Sequence, residues 1–306
     1  MRDRVGEQFT HHRRGESKRA LTIVLCIITA FFVIEALGGH FTHSLALLAD
    51  AGHLLTDVGA LALALLAFRI AERPATPRRT YGNLRVEIVA ALVNGVTLLV
   101  VAVYIGYEAF RRFVAPPEVL SLPMLLVAIT GFAGQSVSAL VLHRSSQESL
   151  NVHAAFVHVA TDAVQSLGVV AAGAFMLAFR WYLADPIISM VIAVLITWTG
   201  LRITWASLHV LMEGTPSGVD ASGLRRAMEK VAGVKEVHDL HIWTITSGYN
   251  ALSAHVLLER ELSMEDAQSV LSVLHTIASG DYGIQHVTIQ IEARPPEWPD
   301  GRHPRP

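Results

Sequence analysis

The chain has 306 residues, of which 52% are hydrophobic and 16% are charged, with one cysteine and a formal net charge of −2. Soluble proteins carry about 25% charged residues, so the composition excludes a wholly soluble protein. A single cysteine excludes a disulfide framework and a thiolate zinc site. The near-neutral charge identifies no partner, and we expect no nucleic acid among the partners.

A polar, basic segment and six apolar segments make up the first two thirds of the chain. Residues 1–19 are typical of a disordered cytoplasmic tail, and the pattern leaves open whether His11 and His12 bind metal. Each apolar segment is long enough to cross a membrane as a helix. The predicted spans are Ala20–Gly39, Ser44–Ile70, Val86–Ala109, Leu120–Leu142, Val152–Phe179 and Pro186–Leu208. Lysine and arginine concentrate in the tail and the second loop, which predicts a plasma (inner) membrane protein with both termini in the cytoplasm.

The second and fifth spans each carry a histidine and an aspartate four residues apart. His53 and Asp57 share a helix face with Asp50, and His158 and Asp162 repeat the same spacing. Ionisable residues inside apolar spans are costly and indicate function. Two such helices supply four ligands, which suits a tetrahedral cation such as Zn²⁺. For either pair taken alone, a hydrogen-bonded structural contact is the alternative.

Other polar residues in the spans are assigned structural roles. Glu87, at the start of the third span, is expected to pair with Arg85 or another arginine of the adjoining loop. Gln135, in a small-residue context in the fourth span, is expected to serve helix packing. Gln165 and Ser166 continue the face of the fifth-span pair, which makes them candidates for supporting the ligands.

After Leu211 the composition becomes that of a small soluble domain. Two helices and three strands are predicted in the order αββαβ, which is that of a ferredoxin-like α+β domain with a split βαβ core. The helices are Ala221–Val231 and Ser263–Ala278, and the strands are Val234–Ile245, Tyr249–Leu258 and Ile284–Glu292. The predicted domains are the tail over 1–19, a six-helix membrane domain over 20–210, a cytoplasmic ferredoxin-like domain over 211–295 and a disordered tail over 296–306.

The soluble domain carries its own group of potential metal ligands. His238 and His241 lie in HDLHIW, His255 lies in LSAHVLLE, and His286 and Glu292 lie in HVTIQIE. Imidazole and carboxylate groups that converge from neighbouring strands suit zinc. Each of these residues alone is also typical of an ordinary strand or surface position. The group predicts a regulatory metal site.

These stretches together resemble the cation diffusion facilitator family, and within it the bacterial heavy-metal resistance branch. The resemblance rests on SLALLADAGHLLTD, RPATPRRTYGNLRVEIVAALVNG, SLNVHAAFVHVATDAVQSLGVV, HDLHIW, LSAH and HVTIQIE, and it covers essentially the whole chain. It implies six transmembrane helices, a cytoplasmic ferredoxin-like domain, a homodimer and Zn²⁺ export in exchange for protons. The loop that reads RTYGNLRVE lacks the His and Asp that some relatives use as a further metal site, so we predict no site there.

The resemblance also implies which residues bind metal. The implied transport ligands are His53, Asp57, His158 and Asp162, and the implied regulatory ligands are His238, His255, His286 and Glu292. The hypothesis is alternating access, in which protons compete with the metal for the transport ligands. Asp50 is expected to be structural or to lie on the exit path.

Several alternatives stay open at this point. Two histidines with two carboxylates also accept Cd²⁺ or Co²⁺. A haem ligated by His53 and His158, or a metal-sensing membrane protein without transport, is a reading from a different class. No nucleotide-binding loop is present, so neither an enzyme nor an ATP-driven pump is expected. The expected partners are the lipid bilayer, divalent metal ions, protons and a second copy of the chain.

Overall fold

The computed structural model describes residues 25–71, 74–145, 150–259 and 262–294. The predicted tails over 1–19 and 296–306, with His11 and His12, lie outside these residues. The chain divides into two compact units. The first combines the chain up to Leu66 with Ala90–Thr204, and the second combines Ala67–Val89 with the chain from Trp205 onward.

Six long helices correspond to the six predicted spans. They are α1 (Leu25–Thr42), α2 (Leu45–Ala71), α3 (Val86–Val114), α4 (Ser121–Ser145), α5 (Leu150–Phe179) and α6 (Ala184–Leu211). Among the described residues, all of them except α2 contain a stretch long and apolar enough to cross a membrane. The 27 residues of α2 extend about 40 Å, enough to cross the hydrocarbon core, and include Asp50 and Asp57. The first two thirds of the chain therefore form a helical membrane domain.

Small and aliphatic side chains fill the interior of the first unit. Its core includes Ala46, Leu98, Met124, Val169 and Ile192. Large apolar side chains such as Val103 and Trp198 are mostly exposed, which suits a surface in contact with lipid tails. Gly200 lets α6 approach α3 closely, because a Cβ there would lie 3.0 Å from Leu99 Cδ2.

The N-terminus of α2 is held by Asp185 of α6. The Asp185 carboxylate accepts hydrogen bonds from Ser44 Oγ at 2.6 Å and from the backbone N–H groups of Leu45 at 2.8 Å and Ala46 at 3.1 Å. Arg112 of α3 lies 3.5 Å from the same carboxylate. A carboxylate satisfies the free N–H groups at a helix start and interacts favourably with the helix dipole. This contact fixes the position of α2, and hence of its histidine and aspartates, along the helix axis.

The second unit contains a three-stranded sheet. The elements are α7 (Ala221–Glu229), β1 (Val234–Thr246), β2 (Tyr249–Leu258), α8 (Met264–Thr276), a π-helical turn (Ile277–Asp281) and β3 (His286–Glu292). The strand order is β1-β2-β3, with β1 and β2 antiparallel and β2 and β3 parallel. The element order αββαβ agrees with the prediction. One detail differs, because β2 and β3 are hydrogen-bonded neighbours and no strand lies between them as a split βαβ unit would require.

The loop between α2 and α3 packs within the second unit. Glu87 accepts hydrogen bonds from the hydroxyls of Thr246 and Ser247, which lie at the turn between β1 and β2. Arg85 lies 3.2 Å from Glu213. The predicted pairing of Glu87 with Arg85 or another loop arginine is therefore wrong, because the hairpin turn offers hydroxyl donors that the local sequence does not reveal.

Candidate metal centre

The four predicted transport ligands meet where α2 and α5 face each other. His53 Nε2 lies 3.0 Å from Asp162 Oδ1 and 3.7 Å from Asp57 Oδ2. His158 Nε2 lies 3.4 Å from Asp57 Oδ1 and 3.8 Å from Asp162 Oδ2. Each carboxylate therefore turns one oxygen toward each imidazole, and the four side chains alternate around a ring. We call these four side chains the intramembrane ring.

The spacing of the intramembrane ring suits a tetrahedral ion. With metal–ligand bonds of about 2.0–2.2 Å, neighbouring ligand atoms around zinc lie about 3.4 Å apart. The four separations between nitrogen and oxygen run from 3.0 to 3.8 Å, and His53, Asp57 and Asp162 each place one ligand atom within 4.8 Å of the other two. Two carboxylates also balance the charge of a divalent cation, which makes a buried position tolerable.

Burial gives the intramembrane ring a closed and an open side. His53 and Asp162 are buried, Asp57 is partly buried, and the His158 side chain is 52% exposed. His158 therefore forms the exposed side of the ring.

The structure separates Asp50 and Ser166 from the intramembrane ring. The sequence makes Ser166 a candidate for supporting the ligands, but its hydroxyl lies 2.5 Å from Asp50 Oδ2 and 3.0 Å from Gln135 Oε1. Asp50 is buried and makes no ion pair within 4 Å among the described residues. These three residues belong to a neighbouring polar pocket that sequence reasoning did not assemble.

A second group of potential ligands lies on the sheet of the second unit. His238 and His255 face each other across β1 and β2, with ring centroids 5.3 Å apart. Glu292 of β3 lies 3.1 Å from His238 Nε2 and 2.9 Å from His255 Nδ1. We call these three residues the sheet cluster. Two imidazoles and one carboxylate are a donor set that zinc accepts.

The structure does not bring His286 to the sheet cluster. His286 and Glu292 stand at opposite ends of β3, which puts them about 20 Å apart at the rise of an extended strand. The ring of His286 instead lies 5.5 Å from that of Tyr81. The prediction of His286 as a fourth ligand from the same chain is therefore corrected, because an extended strand separates the ends of HVTIQIE.

Sequence reasoning missed Asp239 beside the sheet cluster. This residue has a φ of 51° and lies where the pairing of β1 with β2 shifts between His238 and His241. Its carboxylate lies 2.9 Å from His241 and 3.7 Å from His255. The signal was present in HDLHIW, where an aspartate follows the first histidine. Only the β-bulge turns that aspartate toward both histidines.

Two family descriptions account for nearly all of the chain. Residues 21–212 match the cation efflux transmembrane domain, and residues 216–294 match the cation efflux protein cytoplasmic domain. The chain belongs to the cation efflux family, also called the cation diffusion facilitators. The family resemblance inferred from the sequence motifs is thereby confirmed. Because this is a family of transporters, the alternatives of a haem protein and of a metal-sensing protein without transport fall away.

Several curated cation efflux proteins align along most of the chain. A cadmium, cobalt and zinc/H(+)-K(+) antiporter from Bacillus velezensis is 42% identical, covering 92% of this chain and 90% of its own length. The metal cation efflux system protein CzcD of Cupriavidus metallidurans is 40% identical, and the alignment covers 97% of this chain and 93% of that protein. The zinc transporter ZitB of Pectobacterium atrosepticum is 38% identical, and the alignment covers 94% of this chain and 89% of that protein. A solved structure described as the metal-bound C-terminal domain of CzcD is 36% identical, covers 24% of this chain and 99% of that one, and has a TM-score of 0.22.

Proposed function

We propose that this cation efflux protein exports Zn²⁺ from the cytoplasm across the plasma membrane in exchange for protons, by alternating access around the intramembrane ring. The observation that carries the proposal is the alternation of His53, Asp57, His158 and Asp162 at separations that suit a tetrahedral cation. Cd²⁺ and Co²⁺ accept the same ligands and are further cargoes. The Bacillus velezensis relative is named for all three metals.

The chemistry of the ligands explains the exchange. Neutral imidazole and ionised carboxylate bind the metal, whereas protonated imidazole has no lone pair to offer, so metal and protons compete for one site. Histidine changes its charge near neutral pH, which suits a group that alternates between metal and proton. Metal binds from the cytoplasm, protons displace it on the outer side, and the protonated ring returns.

The nature of the exchanged cation extends the proposal. The Bacillus velezensis relative is named an antiporter of both H⁺ and K⁺. We therefore include K⁺ beside the proton as an ion that enters when zinc leaves.

Orientation and assembly form a further part of the proposal. The distribution of lysine and arginine supports cytoplasmic termini. With this orientation α2 begins on the outer side and α5 begins on the inner side. The match of residues 216–294 to the cation efflux cytoplasmic domain supports an intracellular position for the sheet and a homodimer built through it.

The sheet cluster is proposed as a regulatory zinc site. His238 and His255 offer ring nitrogens to the same space as the Glu292 carboxylate, which supports the fit of a zinc ion. Such an ion would link three strands and stabilise the sheet when cytoplasmic zinc rises.

The test is metal-by-metal flux in proteoliposomes with an imposed pH gradient. We expect wild-type protein to move Zn²⁺ against the pH gradient, and Asp57→Ala and His158→Ala proteins to lose that flux. Thr161→Ala is the matched control, because the Thr161 hydroxyl is exposed and donates to the backbone carbonyl of Val157 in its own helix. Native flux in the two ligand variants would overturn the site, and absence of flux in the wild type would overturn the function.

A further inference from the structure

A buried polar pocket lies beside the intramembrane ring, and the ring does not use it. One side chain from each of four helices contributes to it: Glu35 of α1, Asp50 of α2, Gln135 of α4 and Ser166 of α5. All four are buried, with relative exposures between 1% and 7%. We call this group the oxygen pocket, because its carboxylate, amide and hydroxyl groups all present oxygen.

Two sets of contacts assemble the oxygen pocket. The Ser166 hydroxyl connects Asp50 Oδ2 at 2.5 Å with Gln135 Oε1 at 3.0 Å. Glu35 lies against Gly131, where an added Cβ would come within 2.0 Å of Glu35 Oε1. Gly131 and Gln135 are four residues apart and share one face of α4. The glycine thus leaves the space that the Glu35 carboxylate occupies beside Gln135.

The oxygen pocket has more acceptors than donors. The hydroxyl of Ser166 has one proton, which serves one acceptor at a time. Among the described residues, Asp50 Oδ1 and Glu35 Oε2 are buried without a hydrogen-bond partner, and the Gln135 amide donor is also unpartnered. Buried carboxylate oxygens without donors are costly unless a proton or a bound cation neutralises them. The composition of the pocket therefore calls for a positive charge among these oxygens.

The oxygen pocket lies one helical turn from the intramembrane ring. The contacts between Asp50 and Ser166 and between His53 and Asp162 show that α2 and α5 run antiparallel. Asp50 precedes His53 by three residues on α2, and Ser166 follows Asp162 by four residues on α5. Because the two helices are antiparallel, Asp50 and Ser166 are both displaced from the ring in the same direction, by about 5 Å. In the proposed orientation that direction is outward. A cation that enters from outside therefore reaches the oxygen pocket before the ring.

We propose that the oxygen pocket binds K⁺, which enters from the outer side as Zn²⁺ leaves the intramembrane ring. Carboxylate, amide and hydroxyl oxygens suit a hard metal cation, whereas zinc is drawn to the imidazoles one turn away. A proton requires one oxygen, but a dehydrated metal cation requires several from different directions, as four helices provide here. K⁺ in this pocket lowers the affinity of the neighbouring ring for Zn²⁺ by charge repulsion. The inference rests on the proposed function.

The experiment measures zinc uptake into proteoliposomes of the full-length protein at a fixed pH gradient. The vesicles contain K⁺, Na⁺ or N-methylglucamine. In a parallel set the vesicles contain radioactive Rb⁺, an analogue of K⁺, so that its exit can be followed. For the wild type, K⁺ inside is expected to accelerate zinc uptake about fivefold over N-methylglucamine, a typical coupling between two sites, and Rb⁺ is expected to leave as zinc enters. Zinc flux without K⁺ dependence and without Rb⁺ movement would overturn the inference while leaving proton-coupled export intact.

Variants then assign the K⁺ effect to the oxygen pocket. Glu35→Gln and Asp50→Asn are expected to abolish K⁺ acceleration, and Gly131→Ala is expected to reduce it by crowding Glu35 without removing an oxygen. Ser138→Ala is the matched control, since its hydroxyl bonds to Gly134 O within α4. Zinc binding measured in K⁺-free buffer shows whether each variant retains the ring.

The variants also give decisive outcomes when one of them fails to fold. Full K⁺ acceleration in Glu35→Gln or Asp50→Asn protein that binds zinc would overturn the assignment. If Asp50→Asn protein loses zinc binding, the K⁺ acceleration measured in Glu35→Gln and Gly131→Ala proteins tests the assignment. If all three variants lose zinc binding, the test is whether Rb⁺ moves together with zinc in the wild type, and absence of Rb⁺ movement overturns the inference. No zinc flux in the wild type under any gradient would instead mark failure of the proposed function.

Discussion

The intramembrane ring and the sheet cluster use similar ligands but obtain them from different backbones. The ring takes an imidazole and a carboxylate from each of two helices, with each pair four residues apart. The sheet cluster takes one ligand from each of three strands, joined by antiparallel and parallel pairing. Each of the helices α2 and α5 therefore supplies half of the ring, whereas each strand supplies only one member of the sheet cluster.

The two clusters also differ in charge and surroundings. The ring has two carboxylates for two histidines and lies in mostly apolar helices, so its four side chains would neutralise a divalent ion. The sheet cluster has one carboxylate for two histidines and is partly accessible to solvent. The ring is suited to an ion that must be held in an apolar region and released by protons. The sheet cluster is suited to an ion that exchanges with solution.

Removal of a ring carboxylate should give the largest effect. Asp162 lies 3.0 Å from His53, so Asp162→Ala removes a proposed ligand and the hydrogen-bond partner of a buried imidazole. We expect zinc flux in proteoliposomes to fall by more than about 100-fold, since loss of residues that merely support metal ligands already costs 10- to 100-fold. An Asp162→Ala protein that keeps more than a tenth of the flux would place the transport site elsewhere.

Loss of the anchor of α2 should give the next largest effect, although Asp185 touches none of the ring ligands. Asp185→Ala removes the acceptor for Ser44 Oγ and two backbone N–H groups, so we expect α2 to shift along its axis. A misplacement of about 1 Å can cost up to 100-fold in rate. For Asp185→Ala we expect zinc flux in proteoliposomes to fall about tenfold, while the variant still binds zinc.

Two comparisons separate positioning from a general loss of stability. Asp185→Asn keeps an acceptor at the helix start and should restore part of the flux. Ser189→Ala is the control, because the Ser189 hydroxyl is buried on the same helix but bonds to the backbone carbonyl of Asp185. Equal losses in Asp185→Ala and Ser189→Ala would argue against a specific anchor.

The sheet cluster should respond to Glu292 and not to His286. In full-length protein whose ring is disabled by Asp162→Ala, Glu292→Gln removes the charge that faces both histidines. We expect calorimetry to show zinc affinity about 10- to 100-fold weaker. His286→Ala is the matched comparison and should leave the affinity unchanged. A larger loss for His286→Ala would restore the original four-residue prediction, with His286 supplied across a dimer.

The smallest effect concerns local stability near the sheet. Ser263 caps α8 by accepting the backbone N–H of Asp266 at 3.1 Å. Ser263→Ala should lower the free energy of unfolding of the second unit by about 1 kcal/mol. Differential scanning calorimetry of the full chain checks this, with zinc affinity of the sheet cluster expected to stay unchanged. A loss of zinc affinity in the Ser263→Ala protein would show that the sheet cluster depends on the stability of α8, just as the ring depends on its own helices.

The sequence predicted the parts of this protein that depend on local periodicity. A histidine and an aspartate four residues apart on a helix share a face whatever the helix packs against, so both pairs of side chains in the ring could be picked out in advance. The same reasoning found six spans and the order αββαβ. It also placed the start of the second helix at Ser263, which the structure shows to be the cap of α8, because helix starts depend on residues that are neighbours in the chain.

Only the tertiary structure decided the contacts between distant segments. Asp185 and Ser44 are 141 residues apart, and Asp50 and Ser166 are 116 residues apart, so no local pattern indicates their pairing. Asp239 joins two histidines through a bulge that depends on strand register. His286 stands away from Glu292 because a strand is extended. Periodicity determines which side chains share a face, but helix packing and strand register determine which faces meet.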